Sequence, residues 1–147
     1  MHRYLKLAID QANNHEYEPN MEHGHAAVLV KGGNVLSIGF NKINTNGFME
    51  HFARRTKGPR IFCLSIHAEC DAIYSARSKT DLIGCKIYVA RRRAPNSTFG
   101  KVGMSRPCAI CEAVLRSYGI KKAFYTITDN EYGVMDIKKQ SDEIVNF

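Results

Sequence analysis

Hydrophobic and polar positions alternate along the chain in blocks that predict helices and strands in a definite order. Over residues 2–13, apolar side chains recur every three or four positions, which is typical of a helix that packs one face on a core. A polar loop follows, and the apolar run at residues 26–30 predicts a buried strand. Because Gly32 and Gly33 favour a tight turn, residues 35–40 should return as the antiparallel partner of this strand.

The rest of the chain predicts two more helices and three more strands. Residues 41–59 are rich in Asn, Gly and charge and lack a sustained period, which indicates a long loop. The elements after this loop are, in order, a helix capped by Ser65, a strand over residues 86–90, a helix from Pro107 to Gly119, and strands over residues 123–127 and 134–137. Because the link 129–133 is too short for a crossover helix, the fourth and fifth strands should be antiparallel.

The composition predicts a single domain over residues 1–147. Hydrophobic residues make up 44% of the chain, which is enough for a core without disulfides. The formal net charge of +7 favours anionic partners. The cysteine count of five is odd, residues 1–10 hold no apolar secretory core, and no apolar stretch is long enough for a membrane span. We therefore expect a reducing, cytoplasmic location and no membrane partner.

Two short motifs carry metal chemistry: HAE at residues 67–69 and PCAIC at residues 107–111, each at the start of a predicted helix. Cys108 and Cys111 are three positions apart, so in the first turn of a helix their sulfurs lie on one side. With His67 they would give Zn²⁺ three protein ligands and leave the fourth tetrahedral position to water, as catalytic zinc sites do. The positive end of a helix also favours the thiolate form of cysteine.

Glu69 follows His67 by two positions and is not needed as a ligand. Its carboxylate could take a proton from water and later deliver protons to a ring nitrogen and a leaving amine. H-x-E followed by P-C-x-x-C is a known signature of zinc nucleobase deaminases. The alternative is a structural zinc site closed by Cys70 or Cys63, which would not require Glu69.

On these motifs and on the order of its predicted elements, the sequence resembles the cytidine deaminase superfamily over most of its length. The resemblance implies a three-layer α/β fold, in which a five-stranded mixed sheet carries helices on both faces and the two zinc-bearing helices share one face. It also implies Zn²⁺ as cofactor and hydrolytic removal of an amino group from cytosine, or less often from adenine or guanine. Assembly as a homo-oligomer is a further expectation from the resemblance.

Residue by residue, the resemblance implies a catalytic Glu69 and the zinc ligands His67, Cys108 and Cys111. Asn41 is similar to an Asn that hydrogen-bonds the sugar in many members, and the main chain of Ala68 matches a position that touches the base. The carbonyl of Arg106 matches a position that faces the departing ammonia. Tyr125 is similar to an aromatic residue that stacks near the base in some members.

The subfamily stays open at this point. The short link at residues 129–133 is similar to deaminases of free nucleosides, whereas the sequence GFN at residues 39–41 resembles the nucleotide and tRNA groups. Two basic clusters, one from Arg54 to Arg60 and one from Arg91 to Arg106, are either phosphate-binding sites or solvated surface.

We therefore expect a zinc-dependent hydrolase that converts a cytosine-type base to uracil on a free (deoxy)cytidine nucleoside or nucleotide. One alternative is a polynucleotide deaminase acting on cytosine or adenine in single-stranded DNA, RNA or tRNA, which the net charge of +7 and the long loops favour. A second alternative is a zinc-stabilised binding protein without catalytic turnover.

Overall fold

A mixed β-sheet lies at the centre of the fold and carries helices on both faces. The structure is a computed structural model, which describes residues 2–19, 23–43, 47–53, 65–94, 97–98 and 100–147. In these ranges the helices are α1 (Arg3–Asn14), α2 (Phe48–Ala53), α3 (Ala68–Ala76) and α4 (Ala109–Ser117). The strands are β1 (His25–Lys31), β2 (Asn34–Phe40), β3 (Lys42–Ile43), β4 (Ser65–Ile66), β5 (Lys86–Arg92), β6 (Val102–Gly103), β7 (Lys122–Thr126), β8 (Glu131–Asp136) and β9 (Ser141–Asn146).

The main sheet has seven strands within the described ranges, in the order β2-β1-β5-β7-β8-β9, with β6 paired to the end of β5. Strands β5 and β7 are parallel, because the chain between them crosses over through α4. Strands β7 and β8 are antiparallel, which confirms the prediction made from the short link between them. Strands β3 and β4 form a separate antiparallel pair.

Both faces of the sheet are covered, which explains the continuous apolar run in β1. Successive residues of a strand point to opposite faces. Leu5 and Ala8 of α1 pack with Val28 on one face of the sheet. Leu29 and Ile87 belong to the core on the other face, which includes buried residues of α3 and α4. The layers are therefore helix, sheet and helices, which confirms the α/β fold class.

The sheet has more strands than the five that the sequence predicts, because β6 and β9 join it. Strand β6 is only two residues long. Strand β9 begins with Ser, Asp and Glu and is largely exposed. Neither strand contains an apolar run or an alternating pattern, which are the signals that identify strands in a sequence.

Two local features also differ from the sequence prediction. The sequence predicts Ser65 as an N-cap, whereas Ser65 lies in β4 and the N-cap of α3 is His67. The predicted loop at residues 41–59 contains β3 and α2, and its residues 44–46 and 54–59 lie outside the described ranges. Helix α2 spans six residues, too few for helical periodicity to stand out, and it is held by burial of Met49 and Phe52.

None of the helices in the described part of the chain has the length and hydrophobicity that a membrane-spanning segment requires.

Gly39 allows β2 and α3 to approach closely at the start of α3. A Cβ at this position would overlap backbone atoms of Ala68 and Ala72. Two residues earlier, the hydroxyl of Ser37 donates a hydrogen bond of 2.8 Å to the carbonyl of Ala72. Strand β2 thereby fixes the helix whose first residues carry the HAE motif.

Gly39→Ala is expected to destabilise the protein by about 1–3 kcal/mol, because the added methyl group must displace backbone rather than a flexible side chain. Urea unfolding measures this change. Gly47→Ala is the matched control, since a Cβ at Gly47 would meet no atom within 4 Å. Equal stability of the two variants would contradict the close approach of β2 and α3.

Candidate metal centre and active site

The candidate metal ligands lie at the first residues of two helices on the same face of the sheet. His67 is the N-cap of α3, Cys108 is the N-cap of α4, and Cys111 is the third residue of α4. Neither N-cap side chain makes a capping hydrogen bond to its own helix. The backbone N–H of His67 donates to the sulfur of Met49 at 3.1 Å, so α2 helps to fix this ligand.

The three donor atoms converge on one point. Nδ1 of His67 lies 3.4 Å from Sγ of Cys111 and 3.5 Å from Sγ of Cys108. A tetrahedral zinc ion with ordinary Zn–S and Zn–N bond lengths separates sulfur and nitrogen ligands by about 3.6 Å. Within the described ranges, these three residues form the group of His, Cys and carboxylate donors whose ligand atoms all lie within 4.8 Å of one another. The residues present therefore fit a zinc ion with three protein ligands.

Cys70 lies next to this group without belonging to it. Its sulfur is 3.7 Å from the sulfur of Cys111, and the residue is fully buried. The donor group in the described ranges does not include Cys70, so the geometry does not support a structural site closed by this residue. Cys63, the other candidate for a fourth ligand, lies outside the described residues.

The two candidate ligand thiols differ in their pKa values and therefore in their protonation states. Hydrogen bonds from Cys111 and His67 lower the pKa of Cys108 to about 4, so Cys108 is a thiolate at neutral pH, as a metal ligand must be. The hydrogen bond to Cys108 and burial raise the pKa of Cys111, which retains its proton. Metal binding at this group therefore releases a proton.

Glu69 is a buried carboxyl group beside the candidate ligands. It is the second residue of α3 and only 5% exposed. Burial raises the pKa of Glu69 above its ordinary value, against the opposing effect of His67. A carboxyl group that must both accept and donate protons works best when its pKa lies near the working pH. The environment of Glu69 thus suits the proton-transfer role that the sequence predicts.

A cleft of about 410 Å³ opens above these residues. This volume falls in the range of pockets that bind small molecules. Its lining residues are His23, His25, Asn41, His67, Ala68, Glu69, Met104, Ser105, Arg106 and Cys108. Seven of the eight sequence-predicted site residues either line the cleft or, like Cys111, belong to the donor group beneath it.

Asn41 lines the cleft and fixes the segment that leads into β1. Its Oδ1 accepts a hydrogen bond of 2.7 Å from the backbone N–H of His25, and its Nδ2 donates at 2.7 Å to the carbonyl of His23. The amide therefore ties the end of β2 to the start of β1. Sugar binding by Asn41 stays a prediction.

Asp71 supports this corner of the cleft from below, and no motif in the sequence identifies it. It is 7% exposed, and it accepts a hydrogen bond of 3.0 Å from the backbone N–H of Phe40. It also pairs with the ammonium group of Lys42 at 3.0 Å. Since Phe40 and Lys42 flank Asn41, helix α3 positions both the candidate ligand His67 and the opposite wall of the cleft.

Ser105 fixes the segment before Cys108. Its buried hydroxyl donates to the carbonyl of Val89 at 2.8 Å and accepts from the backbone N–H of Thr126 at 2.8 Å. The backbone N–H of Ser105 also donates to the carbonyl of Thr126 at 2.9 Å. The residue that precedes Arg106 is therefore anchored to β5 and β7.

Tyr125 is not among the residues that line the cleft. Its ring is 3% exposed in the core on the α3 and α4 face, and its hydroxyl donates to Asp142. The sheet thus directs this side chain towards β9, and base stacking by Tyr125 is not supported by its position.

The basic cluster around Arg91 is largely engaged within the protein. Arg91 contacts His23, Arg92 lies over the ring of Tyr17 at 4.5 Å, and Arg93 donates to the carbonyl of Val102 at 2.8 Å. The other cluster, from Arg54 to Arg60, lies outside the described residues.

His23 and His25 line the cleft, although the sequence analysis did not predict them as site residues. The position of His25 follows from the strand pairing. His25 is the first residue of β1, and the antiparallel register places it beside Arg91 near the end of β5. Burial is the main cause that lowers the pKa of His25 to about 4, so its imidazole is neutral at pH 7.

Replacement of His25 by Gln should flatten the pH dependence of stability between about pH 6.5 and 4. In the folded protein the pKa of His25 is about 4, against 6.5 for an ordinary histidine. As the pH falls below 6.5, the unfolded chain binds a proton that the folded protein does not, so stability is lost, by up to about 3 kcal/mol. Urea unfolding of both proteins at several pH values in this range measures the free energy of unfolding of each. The same pH dependence in the two proteins would contradict this prediction.

The fold and the converging donor group are typical of a zinc-binding deaminase, and the comparison with protein families agrees. Residues 1–127 match the family model of the cytidine and deoxycytidylate deaminase zinc-binding region. The chain belongs to this family, which confirms the resemblance found in the sequence. A search of curated protein sequences found no significant match.

Solved structures of the same fold include two cytidine deaminases and a phage enzyme. The cytidine deaminase from Burkholderia pseudomallei is 20% identical, with 95% of each chain covered and a TM-score of 0.63. The cytidine deaminase from Mycobacterium leprae is 17% identical, with 92% of this chain and 91% of that chain covered and a TM-score of 0.54. The dCMP deaminase from cyanophage S-TIM5 is 20% identical, with 85% and 80% covered and a TM-score of 0.53. At these identities the likeness concerns the fold.

Proposed function

We propose that the protein hydrolytically deaminates a cytosine-type base on a free (deoxy)cytidine nucleoside or nucleotide. The observation that carries the proposal is the placement of a buried carboxyl group, Glu69, beside the convergent donors of His67, Cys108 and Cys111 in one cleft. A structural zinc site has no need of such a group.

His67, Cys108 and Cys111 would hold the zinc ion. When bound by three protein ligands, zinc lowers the pKa of water and so supplies a nucleophile at neutral pH. Glu69 accepts a proton from the attacking water and delivers it to the ring nitrogen. It then takes the second proton from the hydroxyl group added to the base and delivers it to the leaving amine. The raised pKa of Glu69, which results mainly from burial, favours this alternation between the two protonation states.

The walls of the cleft are suited to orient the substrate. Ala68 is the first residue of α3, where backbone N–H groups have no partner inside the helix and can donate to a base. Asn41, which directly follows β2, lines the cleft and would contact the sugar, and the carbonyl of Arg106 would face the departing ammonia. Ser105 and Asp71 hold these walls in place.

Deoxycytidine and dCMP are the substrates to test first. A cyanophage dCMP deaminase of the same fold has been solved in complex with dCMP and dUMP. In this protein, Arg91 contacts His23 at the rim of the cleft, where a phosphate group could be accommodated. The experiment measures ammonia release, or the conversion of cytosine to uracil, in cytidine, deoxycytidine, their monophosphates, and single-stranded DNA and RNA.

Deamination of the polymers alone, with binding that weakens steeply as salt is added, would instead establish the polynucleotide deaminase that the charge of +7 favours. Retention of zinc without turnover of any substrate would favour the non-catalytic binding protein. The proposal also places the reaction in the cytoplasm, where ligand thiols stay reduced, and expects a homo-oligomer, which sedimentation velocity would detect.

A further inference from the structure

The β8–β9 hairpin carries a carboxylate back to the wall of the cleft. The family match ends at residue 127, and both strands of this hairpin come after that residue. Asp142, the second residue of β9, contacts Arg106, which lines the cleft. A residue outside the matched region therefore acts on a residue of the proposed substrate site.

Asp142 holds Arg106 with both carboxylate oxygens. Nε of Arg106 donates to Oδ2 at 2.9 Å, and Nη2 donates to Oδ1 at 3.2 Å. Two-point pairs of this kind are stronger and more directional than single contacts. Glu112 adds a second carboxylate, 4.0 Å from Nη1. The charge of Arg106 is therefore compensated by the protein itself.

A buried tyrosine holds the carboxylate from the other side. Tyr125 is 3% exposed, and its hydroxyl donates to Oδ2 of Asp142 at 2.5 Å. The ring crosses β8 above Gly133, its partner in the strand register, where a Cβ would overlap the ring. The hydrogen bond from Arg106 is the main cause that lowers the pKa of Asp142, so the carboxylate stays ionised.

The guanidinium of Arg91, near the start of β1, contacts an imidazole instead of a carboxylate. Nη2 of Arg91 lies 2.8 Å from Nδ1 of His23, which lines the cleft. An imidazole brings no negative charge to such a contact. Two arginines thus lie near the cleft, of which Arg106 is held by a carboxylate and Arg91 is in contact with an imidazole.

We propose that Asp142 determines substrate specificity by withholding the charge of Arg106 from the substrate. The bidentate pair fixes the guanidinium of Arg106, a residue that lines the cleft, and neutralises its charge, so Arg106 does not serve as an anchor for phosphate. Asp142 is therefore a positioning residue that limits the preference for nucleotides over nucleosides. This inference rests on the proposed deaminase function.

The test is the ratio of kcat/KM for dCMP to kcat/KM for deoxycytidine. Asp142→Asn keeps the shape of the side chain and releases the charge of Arg106, so the ratio should rise about 3–10-fold. A merely structural loss would lower kcat/KM for both substrates and leave the ratio unchanged. Glu143→Gln is the matched control, since it removes one negative charge from the neighbouring exposed residue of β9 and should leave the ratio within about twofold.

The double variant Asp142→Asn with Arg106→Gln connects the effect to Arg106. The rise in the ratio should disappear when the guanidinium is absent, because there is then no charge to release. Arg106→Gln alone should lower the ratio about 3–10-fold, since it leaves the carboxylate of Asp142 without its counter-charge. The double variant removes both charges, so its ratio should stay within about twofold of that of the unmodified protein. The double variant also keeps the inference testable where Asp142→Asn alone does not fold.

An unchanged ratio in folded, active Asp142→Asn would overturn the inference and leave the proposed function standing. A tenfold fall in the ratio for the double variant would also overturn it, because Arg106 would then be a phosphate anchor. If the unmodified protein acts on neither substrate, the proposed function fails and this inference fails with it.

Discussion

Exchange of Glu69 for Gln is expected to lower kcat for deamination by about 10²–10⁴-fold, the usual contribution of a positioned acid–base group. The amide has nearly the shape of the carboxyl group and cannot carry protons to the base or the leaving amine. Zinc content should stay unchanged, because Glu69 is not a member of the converging donor group. Steady-state kinetics and metal analysis on the same preparation give both quantities, and Glu69→Ala should behave alike.

Glu112→Gln is the matched control for this variant. Glu112 is an acidic residue in the first turn of α4, as Glu69 is in α3, and its carboxylate lies 3.2 Å from Arg116 and 4.0 Å from Arg106. Its replacement should change kcat by less than about threefold, since Glu112 neither belongs to the converging donor group nor lines the cleft. Full activity of Glu69→Gln would remove Glu69 from the mechanism.

Cys108→Ala is expected to lose zinc and, with it, stability. Zinc that binds only the folded state stabilises it by about 4 kcal/mol when free zinc is present at a thousand times its Kd. This contribution disappears when Cys108 is removed. Cys108 is also the donor that is already a thiolate at neutral pH, since its pKa is lowered to about 4. Metal analysis after dialysis and thermal unfolding with and without added zinc measure the two losses.

Cys85→Ala shows what removal of a thiol costs when no metal donor is lost. Cys85 is fully buried in the core on the α3 and α4 face and is not one of the three converging donors. Its variant should lose some packing energy and keep a full complement of zinc. A Cys108→Ala protein that also kept its zinc would show that the ligand assignment is wrong.

The candidate site could be predicted from sequence because its signals are local. His67 and Glu69 are two positions apart and Cys108 and Cys111 three, so the first turn of each helix fixes their relative placement. That the two helix starts lie together depends on the crossover topology of the sheet, which only the family resemblance supplied. The antiparallel β8 was predictable because a short link leaves no room for a crossover.

The parts that escaped prediction depend on contacts between distant segments. Asp142 lies on an exposed edge strand without an apolar pattern, and its partner Arg106 comes 36 positions earlier. Tyr125 is an aromatic residue of the kind that can stack on a base. Its ring instead lies over Gly133, where no Cβ blocks it, and reaches β9. Asp71 acts through backbone groups around Asn41, and no spacing rule connects these positions.

His67 and Cys108 are 41 positions apart in the chain, and this separation determines when the donor group forms during folding. The β1–β2 hairpin closes through a tight turn of Gly32 and Gly33 and needs no distant partner. The histidine and the thiols meet only after α3 and α4 have docked on the sheet, because the intervening loop must close first. We therefore expect ion capture to be a late event in folding, in contrast to a zinc knuckle, whose ligands are close in sequence and can nucleate folding.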